Sequence, residues 1–194
     1  MRVSLQNASP HLYTREEYFA LERTGQARYE YWNGHIVCMS GGTGNHSRIN
    51  GNVYYTLRGQ LSVSEFIAFT SDLAIKTPSL PPYRYPDASV VCTKPLIENI
   101  EGTDALINPT LIVEVLSPGT ERLDRKEKRV AYQALASLKE YLIIAQDTPH
   151  ITQYVRKGDI WARKDYADTS ASVALPSVDC SLVFSDIYAE VEFE

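Results

Sequence analysis

A single carboxylate inside an apolar run constrains the fold of this chain more than any other feature. Residues 111–116 read LIVEVL, and every side chain in this run except that of Glu114 is apolar. A short run of this kind is typical of a central β-strand that is covered on both faces. A charge in such a strand is costly unless a partner compensates it. The run therefore predicts a buried cationic partner for Glu114, either a structural arginine or lysine or a metal ion.

The length and composition of the chain favour one compact domain. The 194 residues, 44% of them hydrophobic, are enough for one sizeable core but few for two. We expect a single domain over residues 1–194, with a core at about 28–146 and a β-rich extension at about 147–194. The first residues have no basic head followed by an apolar run, and no stretch of about eighteen apolar residues occurs. These features predict a soluble, cytoplasmic protein.

Charge and cysteine usage exclude little. The net charge of −5 argues against indiscriminate binding to phosphate backbones, which is driven by clustered basic side chains. Basic residues nevertheless cluster at 122–129 and at 156–164, and each cluster is either a nucleic-acid contact or a solvated face. Cys38, Cys92 and Cys180 are spaced too widely for a tetrahedral zinc site. We expect reduced, mostly buried thiols.

Two local signals define the first elements of the chain. Thr14 and Glu17 have the spacing of a capping box, which predicts a helix of about ten residues that ends by Gly25. The pair Asn33-Gly34 lies between two β-prone runs and predicts a tight hairpin turn. Glu30 lies on the first strand of this hairpin.

The middle of the chain alternates between helical and β patterns. Apolar residues recur at helical spacing from about residue 45 to 62 and predict an amphipathic helix. Another helix is predicted at about 120–137, followed by a strand at 141–145. Between the helices, β-branched and aromatic residues predict three strands, at 65–77, 85–92 and 110–117. The expected fold is mixed, α/β or α+β, with a central mixed sheet flanked by helices.

Asp87 and Glu114 stand on two consecutive predicted strands that precede a basic helix. Two adjacent carboxylates form a hard oxygen site that suits Mg²⁺, an ion that keeps several waters and binds phosphate oxygens. Such an ion polarises a phosphodiester and lowers the pKa of an attacking water. A lysine nearby would stabilise the developing negative charge.

The basic helix offers a candidate for that lysine. Asp124, Lys128 and Tyr132 are spaced four apart and share one helical face, so Lys128 is predicted to point inward. Lys126 lies about 160° around the helix and is predicted to face water. The alternative is an exposed Lys128 that forms a surface pair with Asp124.

Two further polar residues are weaker candidates. His46 shares a helical face with apolar residues, which favours a hydrogen-bonded core histidine near the edge of the site over a general base. Asp72 precedes alternating apolar residues and is predicted to be a solvated acid outside the catalytic set. The loop SGGTGN lacks the Gly-Lys-Ser/Thr ending of a phosphate-binding loop, so no nucleotide cofactor is expected.

Two segments carry a resemblance to a known superfamily. YPDASVV and LIVEVLSP resemble the acid-bearing strands of PD-(D/E)xK nucleases, with Asp87 in the PD pair and Glu114 as the second acid. The usual pattern has lysine two residues after the second acid, where this chain has Leu116. From about Tyr29 to Ile144 the chain is similar to a widespread bacterial family of restriction-endonuclease type within this superfamily. Its most specific part is EVLSP followed by the spaced Asp, Lys and Tyr of the next helix.

The resemblance implies a restriction-endonuclease-like core, with the hairpin before it and the β-rich extension behind it. It also implies a metal-dependent DNA endonuclease in which Asp87, Glu114 and Lys128 are catalytic and Glu30 joins the metal site. The implied metal is Mg²⁺, with Mn²⁺ as a possible substitute. A symmetric homodimer is economical for an enzyme that cuts both strands of DNA. Two alternatives stay open: an inactive binding or structural module of the same fold, and an enzyme that acts on RNA or on modified nucleic acid.

Overall fold

The structure is a computed structural model that describes residues 11–25, 27–39, 42–62, 65–78, 83–117, 121 and 124–193. Its elements in chain order are α1 (Arg15–Arg23), β1 (Tyr29–Trp32), β2 (His35–Cys38), α2 (Gly44–Leu61), β3 (Phe66–Thr70), β4 (Ala74–Lys76), β5 (Tyr83–Arg84), β6 (Ala88–Cys92), β7 (Ile97–Ile100), β8 (Thr103–Leu106), β9 (Leu111–Val115), a π-helical segment (Asp124–Lys128) continued by α3 (Arg129–Gln133), β10 (Glu140–Ile144), β11 (Ile151–Lys157), β12 (Ile160–Tyr166), β13 (Ser172–Leu175), β14 (Cys180–Val183) and α4 (Phe184–Ile187).

The N-terminal signals specify the structure they predict. The side chain of Thr14 accepts from the Glu17 N–H, and the Glu17 carboxylate accepts from the Thr14 N–H at 2.7 Å. This capping box begins α1, which ends at Arg23. Asn33 and Gly34 both take positive φ angles, 48° and 91°, as a tight turn with the twist of β1 and β2 requires.

A mixed six-stranded sheet is the centre of the fold, as expected. Its strand order is β12-β11-β10-β9-β6-β3. Within the described part of this sheet, β9 and β10 are parallel and every other neighbouring pair is antiparallel. All five residues of β9 and all five of β10 are buried. The sheet is covered on both faces, which explains why 111–116 reads as an apolar run.

The two faces of the sheet pack against different helices. One core cluster joins α2, through Ile49, Val53 and Leu57, to residues of β9 such as Val113. A second cluster joins Tyr132 of α3 to the opposite face, which includes Ile112. Side chains alternate along a strand, so Glu114 lies on the α3 face of β9 together with Ile112.

The prediction of one strand over 65–77 is wrong. The chain turns after β3, where the Leu73 N–H donates to the Thr70 carbonyl, and β4 enters a separate four-stranded sheet of order β5-β4-β8-β7. Arg28 holds this turn by donating to Ser71 O at 2.7 Å and to Asp72 Oδ1 at 2.6 Å. Asp72 is exposed, as predicted, but it lies in the turn and not in a strand.

Other boundaries also differ from the predictions. Helix α3 ends at Gln133, earlier than the predicted 137, and residues 118–120, 122 and 123 lie outside the described residues. Strands β11 and β12 belong to the central sheet, so the β-rich extension completes the core instead of following it. None of the three cysteines forms a disulfide; Cys38 is exposed, Cys92 half-buried and Cys180 buried, so mostly buried thiols were wrongly expected. No helix in the described ranges has the length and apolarity needed to cross a membrane.

Candidate active site

Lys128 lies among three buried carboxylates. Its Nζ is 3.3 Å from Glu30 Oε1, 3.2 Å from Glu114 Oε1 and 3.1 Å from Asp124 Oδ1. The lysine side chain is only 1% exposed. Lys128 therefore points inward, as its helical spacing predicts. The alternative prediction, an exposed Lys128, is wrong. Lys126, which was predicted to face water, is exposed.

The elements of the fold bring this cluster together from three parts of the chain. Glu30 comes from β1, Glu114 from the middle of β9, and both Asp124 and Lys128 from the π-helical segment. A π-helical turn is rare and is found often at functional sites. Here the segment buries Asp124 and Lys128 together against the α3 face of the sheet.

Glu30 is fixed by groups of its own hairpin and of the β5–β6 connection. Its Oε1 accepts from the Tyr85 N–H at 2.9 Å and its Oε2 from Trp32 Nε1 at 3.3 Å. The guanidinium of the buried Arg84 lies 4.0 Å from the centre of the Trp32 ring. These contacts hold the Glu30 carboxylate towards Lys128.

Burial and the neighbouring charges shift the pKa values of the residues in this cluster. Burial raises the pKa of Glu114 well above its ordinary value, and Lys128 only partly opposes this effect. Burial acts to lower the pKa of Lys128, but the surrounding carboxylates, Glu114 foremost, outweigh it and raise that pKa. Lys128 is therefore charged at neutral pH. Tyr132, whose pKa is raised mainly by burial, stays a neutral phenol that donates to Glu114 Oε1 at 3.0 Å.

Asp87 lies beside this cluster, immediately before the neighbouring strand β6. The residue precedes β6, which pairs antiparallel with β9, and its N–H donates to the Val113 carbonyl at 3.1 Å. Its Oδ2 accepts from the Val115 N–H at 2.7 Å, and its Oδ1 accepts from Asn50 Nδ2 at 3.3 Å. The pairing of β6 with β9 thus brings Asp87, at the start of β6, next to the strand that carries Glu114.

His46 contacts Asp87 from the first turn of α2. Its Nε2 is 3.4 Å from Asp87 Oδ1, and its side chain is 20% exposed. The hydrogen bond to Asp87 raises the pKa of His46, although burial acts in the opposite direction. His46 is hydrogen-bonded at the edge of the site, as predicted, but it lines a cavity and does not lie in the core.

That cavity is the opening of the site. It has a volume of about 870 Å³, and its lining includes Asp87, Glu114, Lys128, His46, Asn50 and Ser117. Glu30 is not among the described residues that line it. Two carboxylates, one ammonium group and one imidazole therefore face a single open space.

Comparison with known proteins places the chain in a family. A family model described as "Uma2: Putative restriction endonuclease" matches residues 15–184. The chain belongs to the Uma2 family.

Two other proteins and one solved structure are similar to this chain. Two proteins of Synechocystis sp. are similar to this Uma2 chain. "Uncharacterized protein slr1290" is 31% identical, with 92% of each chain covered. "Uncharacterized protein sll1609" is 29% identical, with 78% of this chain and 85% of that protein covered. A crystal structure from Anabaena variabilis, described as "a putative nuclease belonging to DUF820", superposes with a TM-score of 0.72 at 20% identity. It covers 93% of this chain and 99% of the other. That likeness shows the restriction-endonuclease-like fold.

The donor set of the Uma2 site suits a hard cation. Mg²⁺ is usually bound by one or two carboxylates together with waters and substrate phosphates. Asp87 and Glu114 supply two carboxylates at one cavity, and the buried acids outnumber Lys128, which leaves negative charge for a cation to offset. Within the described ranges no three Asp, Glu, His or Cys side chains are arranged to hold a metal by themselves. The residues thus fit a two-carboxylate site, and metal binding by Glu30 stays a prediction.

Sequence reasoning left some site residues out. Asn50 follows His46 by four residues, and this spacing was a signal that both reach the same acid. Asp124 was placed on the helical face of Lys128 and Tyr132 but was not counted among the site residues. Among the basic residues of 156–164, Arg156 is structural, because it donates to the carbonyls of Gln133 and Leu138.

Proposed function

We propose that this chain is a metal-dependent endonuclease that hydrolyses phosphodiester bonds in DNA. The observation that carries the proposal is the contact between Lys128 and Glu114, which assembles an ammonium group and two acids at one cavity although residue 116 is leucine. The Uma2 family name and the putative nuclease among the solved structures support a nuclease function in general.

Asp87 and Glu114 are the residues that would hold Mg²⁺ or Mn²⁺. When bound, the ion would polarise the phosphodiester and lower the pKa of an attacking water. Val115 and Asn50 orient Asp87 through their hydrogen bonds to its two oxygens. Tyr132, on the α3 face of the sheet that also carries Glu114, orients Glu114 by donating to its Oε1.

Lys128 would stabilise the negative charge that develops on the phosphate. Its ammonium group has three N–H donors and faces three carboxylates in the structure. One of these contacts has to open before an N–H reaches a phosphate oxygen. Asp124 lies on the same short segment as Lys128, 3.1 Å from its Nζ, so we propose that Asp124 positions the lysine while a contact with Glu114 or Glu30 opens.

A second candidate function is a binding or structural module without catalysis. The complete set of contacts around Lys128 favours it, since a lysine with three carboxylate partners also satisfies a purely structural role. The net charge of −5 favours it as well. Calorimetric titration with Mn²⁺ separates the two candidates. The endonuclease binds the ion and loses this binding in Asp87→Ala. The module either does not bind the ion or binds it equally well in Asp87→Ala.

The direct test of the proposal is nicking of supercoiled plasmid DNA with Mg²⁺ or Mn²⁺. Asp87→Asn and Lys128→Ala are each expected to abolish nicking. Asp159→Asn and Lys94→Ala are matched controls, because both residues are exposed and lie outside the cavity lining. Intact nicking in both site variants would refute the assignment. Parallel assays on RNA test the substrate class, and the mass of the chain in solution tests the expected homodimer.

A further inference from the structure

A second cavity adjoins the candidate active site. It has a volume of about 630 Å³, within the range of small-molecule sites. Thr43 and Ser117 line both cavities, so the two open spaces are neighbours. None of the catalytic residues proposed above lines the second cavity.

Gln146 lines this cavity and carries a hydrogen-bond donor that no described group accepts from. The residue follows β10 and is 7% exposed, and its Nε2 has no hydrogen-bond partner within the described structure. The hydroxyl of Thr43 accepts from the His46 N–H and donates to Gln146 Oε1. In this arrangement the NH₂ group is the end of the amide without a described partner. A buried donor without a partner is costly, and a ligand acceptor would remove that cost.

The charge of the lining argues against a phosphate at this position. Glu121, Asp147 and Glu192 line the cavity, and the described lining contains no lysine or arginine. Glu121 is paired with Arg125, whose Nε lies 2.7 Å from Glu121 Oε1. Asp147 and Glu192 therefore supply the charge of the described lining that repels an anion and attracts N–H groups of a neutral ligand. The favoured ligand thus carries both an acceptor for Gln146 and donors for the acids.

An aromatic ring completes the chemistry. Phe193 lines the cavity and is 38% exposed, and its ring packs edge-on against Tyr188 with the centroids 5.5 Å apart. An exposed ring held in this way is a platform on which a flat heterocycle stacks. In adenine and cytosine, an acceptor nitrogen of the ring can accept from a Gln amide, and the exocyclic amino group can donate to a carboxylate.

We infer that the second cavity binds one unpaired nucleobase that carries an exocyclic amino group, beside the phosphate that is cut. This inference rests on the proposed nuclease function for the neighbouring site. Gln146 donates to a ring acceptor of the base, a carboxylate of the lining accepts from its amino group, and Phe193 stacks on its face. A paired base does not enter such a pocket unless it leaves the stack, so the enzyme prefers single-stranded or unpaired nucleotides there.

The test uses the full chain without metal and follows the Gln146 side-chain amide in ¹H–¹⁵N spectra. Deoxyadenosine and deoxycytidine are expected to shift this signal, thymidine to shift it less, and inorganic phosphate to leave it unchanged. A larger shift with phosphate, or none with any nucleoside, would overturn the inference. The measurement needs no cleavage, so a chain that binds nucleosides but does not cut DNA refutes only the proposed function.

Two variants test the named contacts. Gln146→Glu keeps an acceptor for Thr43 but removes the donor, and it is expected to weaken deoxyadenosine binding about 10-fold. Phe193→Ala removes the stacking ring from an exposed position and is expected to weaken binding by roughly 10-fold as well. Tyr55→Ala is the matched control, since Tyr55 is exposed on the outer face of α2. Unchanged affinity in both site variants would place the nucleoside elsewhere and overturn the inference.

Discussion

The Lys128 ammonium lies 3.2 Å from Glu114 Oε1, and both side chains are almost fully buried. The two residues come from different elements, a π-helical segment and a central strand. Their contact therefore depends on how the segment packs on the sheet.

Removal of the ammonium group should destabilise the fold. Lys128→Met leaves Glu30, Glu114 and Asp124 buried without their common cation, and breaking a buried pair in this way typically costs about 3–5 kcal/mol. Urea unfolding measures the change in the free energy of unfolding. Lys126→Met, at an exposed position, should change it by less than about 0.5 kcal/mol. Equal effects of the two substitutions would contradict the buried cluster.

Neutralising Asp124 should impair turnover more than substrate binding. Asp124→Asn keeps the shape of the side chain but removes one charge that holds Lys128, and loss of such a supporting contact typically costs about 10- to 100-fold in activity. The expected result is a lower kcat for DNA cleavage with KM little changed. A variant that changes only KM would argue against a positioning role.

Bound metal should stabilise the folded chain through Asp87. An ion at 100 times its Kd adds about 2.7 kcal/mol to the free energy of unfolding, which raises Tm by roughly 5–10 °C in a chain of this size. Thermal unfolding with and without Mn²⁺ measures this rise. In Asp87→Asn the rise should be lost, and its persistence there would locate the ion at other residues.

Glu140 should give the stability a pH dependence that is independent of the site. It is fully buried, and burial raises its pKa above the ordinary 4.5, although hydrogen bonds from Ser177 and Gln153 oppose this. The more protonated folded state is favoured at low pH, so the stability that Glu140 contributes is present below pH 4.5 and is lost as the pH rises through its folded pKa.

The variant Glu140→Gln has no such titration. Its free energy of unfolding should therefore improve relative to the natural chain as the pH is raised from 4.5 towards neutrality. Urea unfolding at a series of pH values measures this difference. A difference that stays constant across the series would show that Glu140 keeps its ordinary pKa in the fold.

The sequence specifies the features that depend on local chemistry. The capping box of Thr14 and Glu17, the Asn33-Gly34 turn and the inward direction of Lys128 follow from spacing within a few residues. The apolar run around Glu114 identifies a buried strand for the same reason. These predictions need only the geometry of one turn of helix or one hairpin.

Features that depend on long-range pairing were less accessible. The split between β3 and β4 follows from their membership of different sheets, and the clamp by Arg28 comes from a distant part of the chain. The β7–β8 hairpin was missed although Glu101-Gly102, with φ angles of 52° and 97°, is a turn of the same kind as Asn33-Gly34. The hydrogen bonds of Glu30 to Tyr85 and Trp32 likewise required the tertiary structure.

The π-helical segment and α3 together supply an acid, an ammonium group and a phenol within nine consecutive residues, Asp124 to Tyr132. One short stretch of the gene thus encodes three side chains of the site. Deleting a single residue between Lys128 and Tyr132 would rotate one of them by about 100° relative to the other. Insertions and deletions in this stretch should therefore be as damaging as replacing the lysine, and relatives that have lost activity should show disruption of the whole stretch at once.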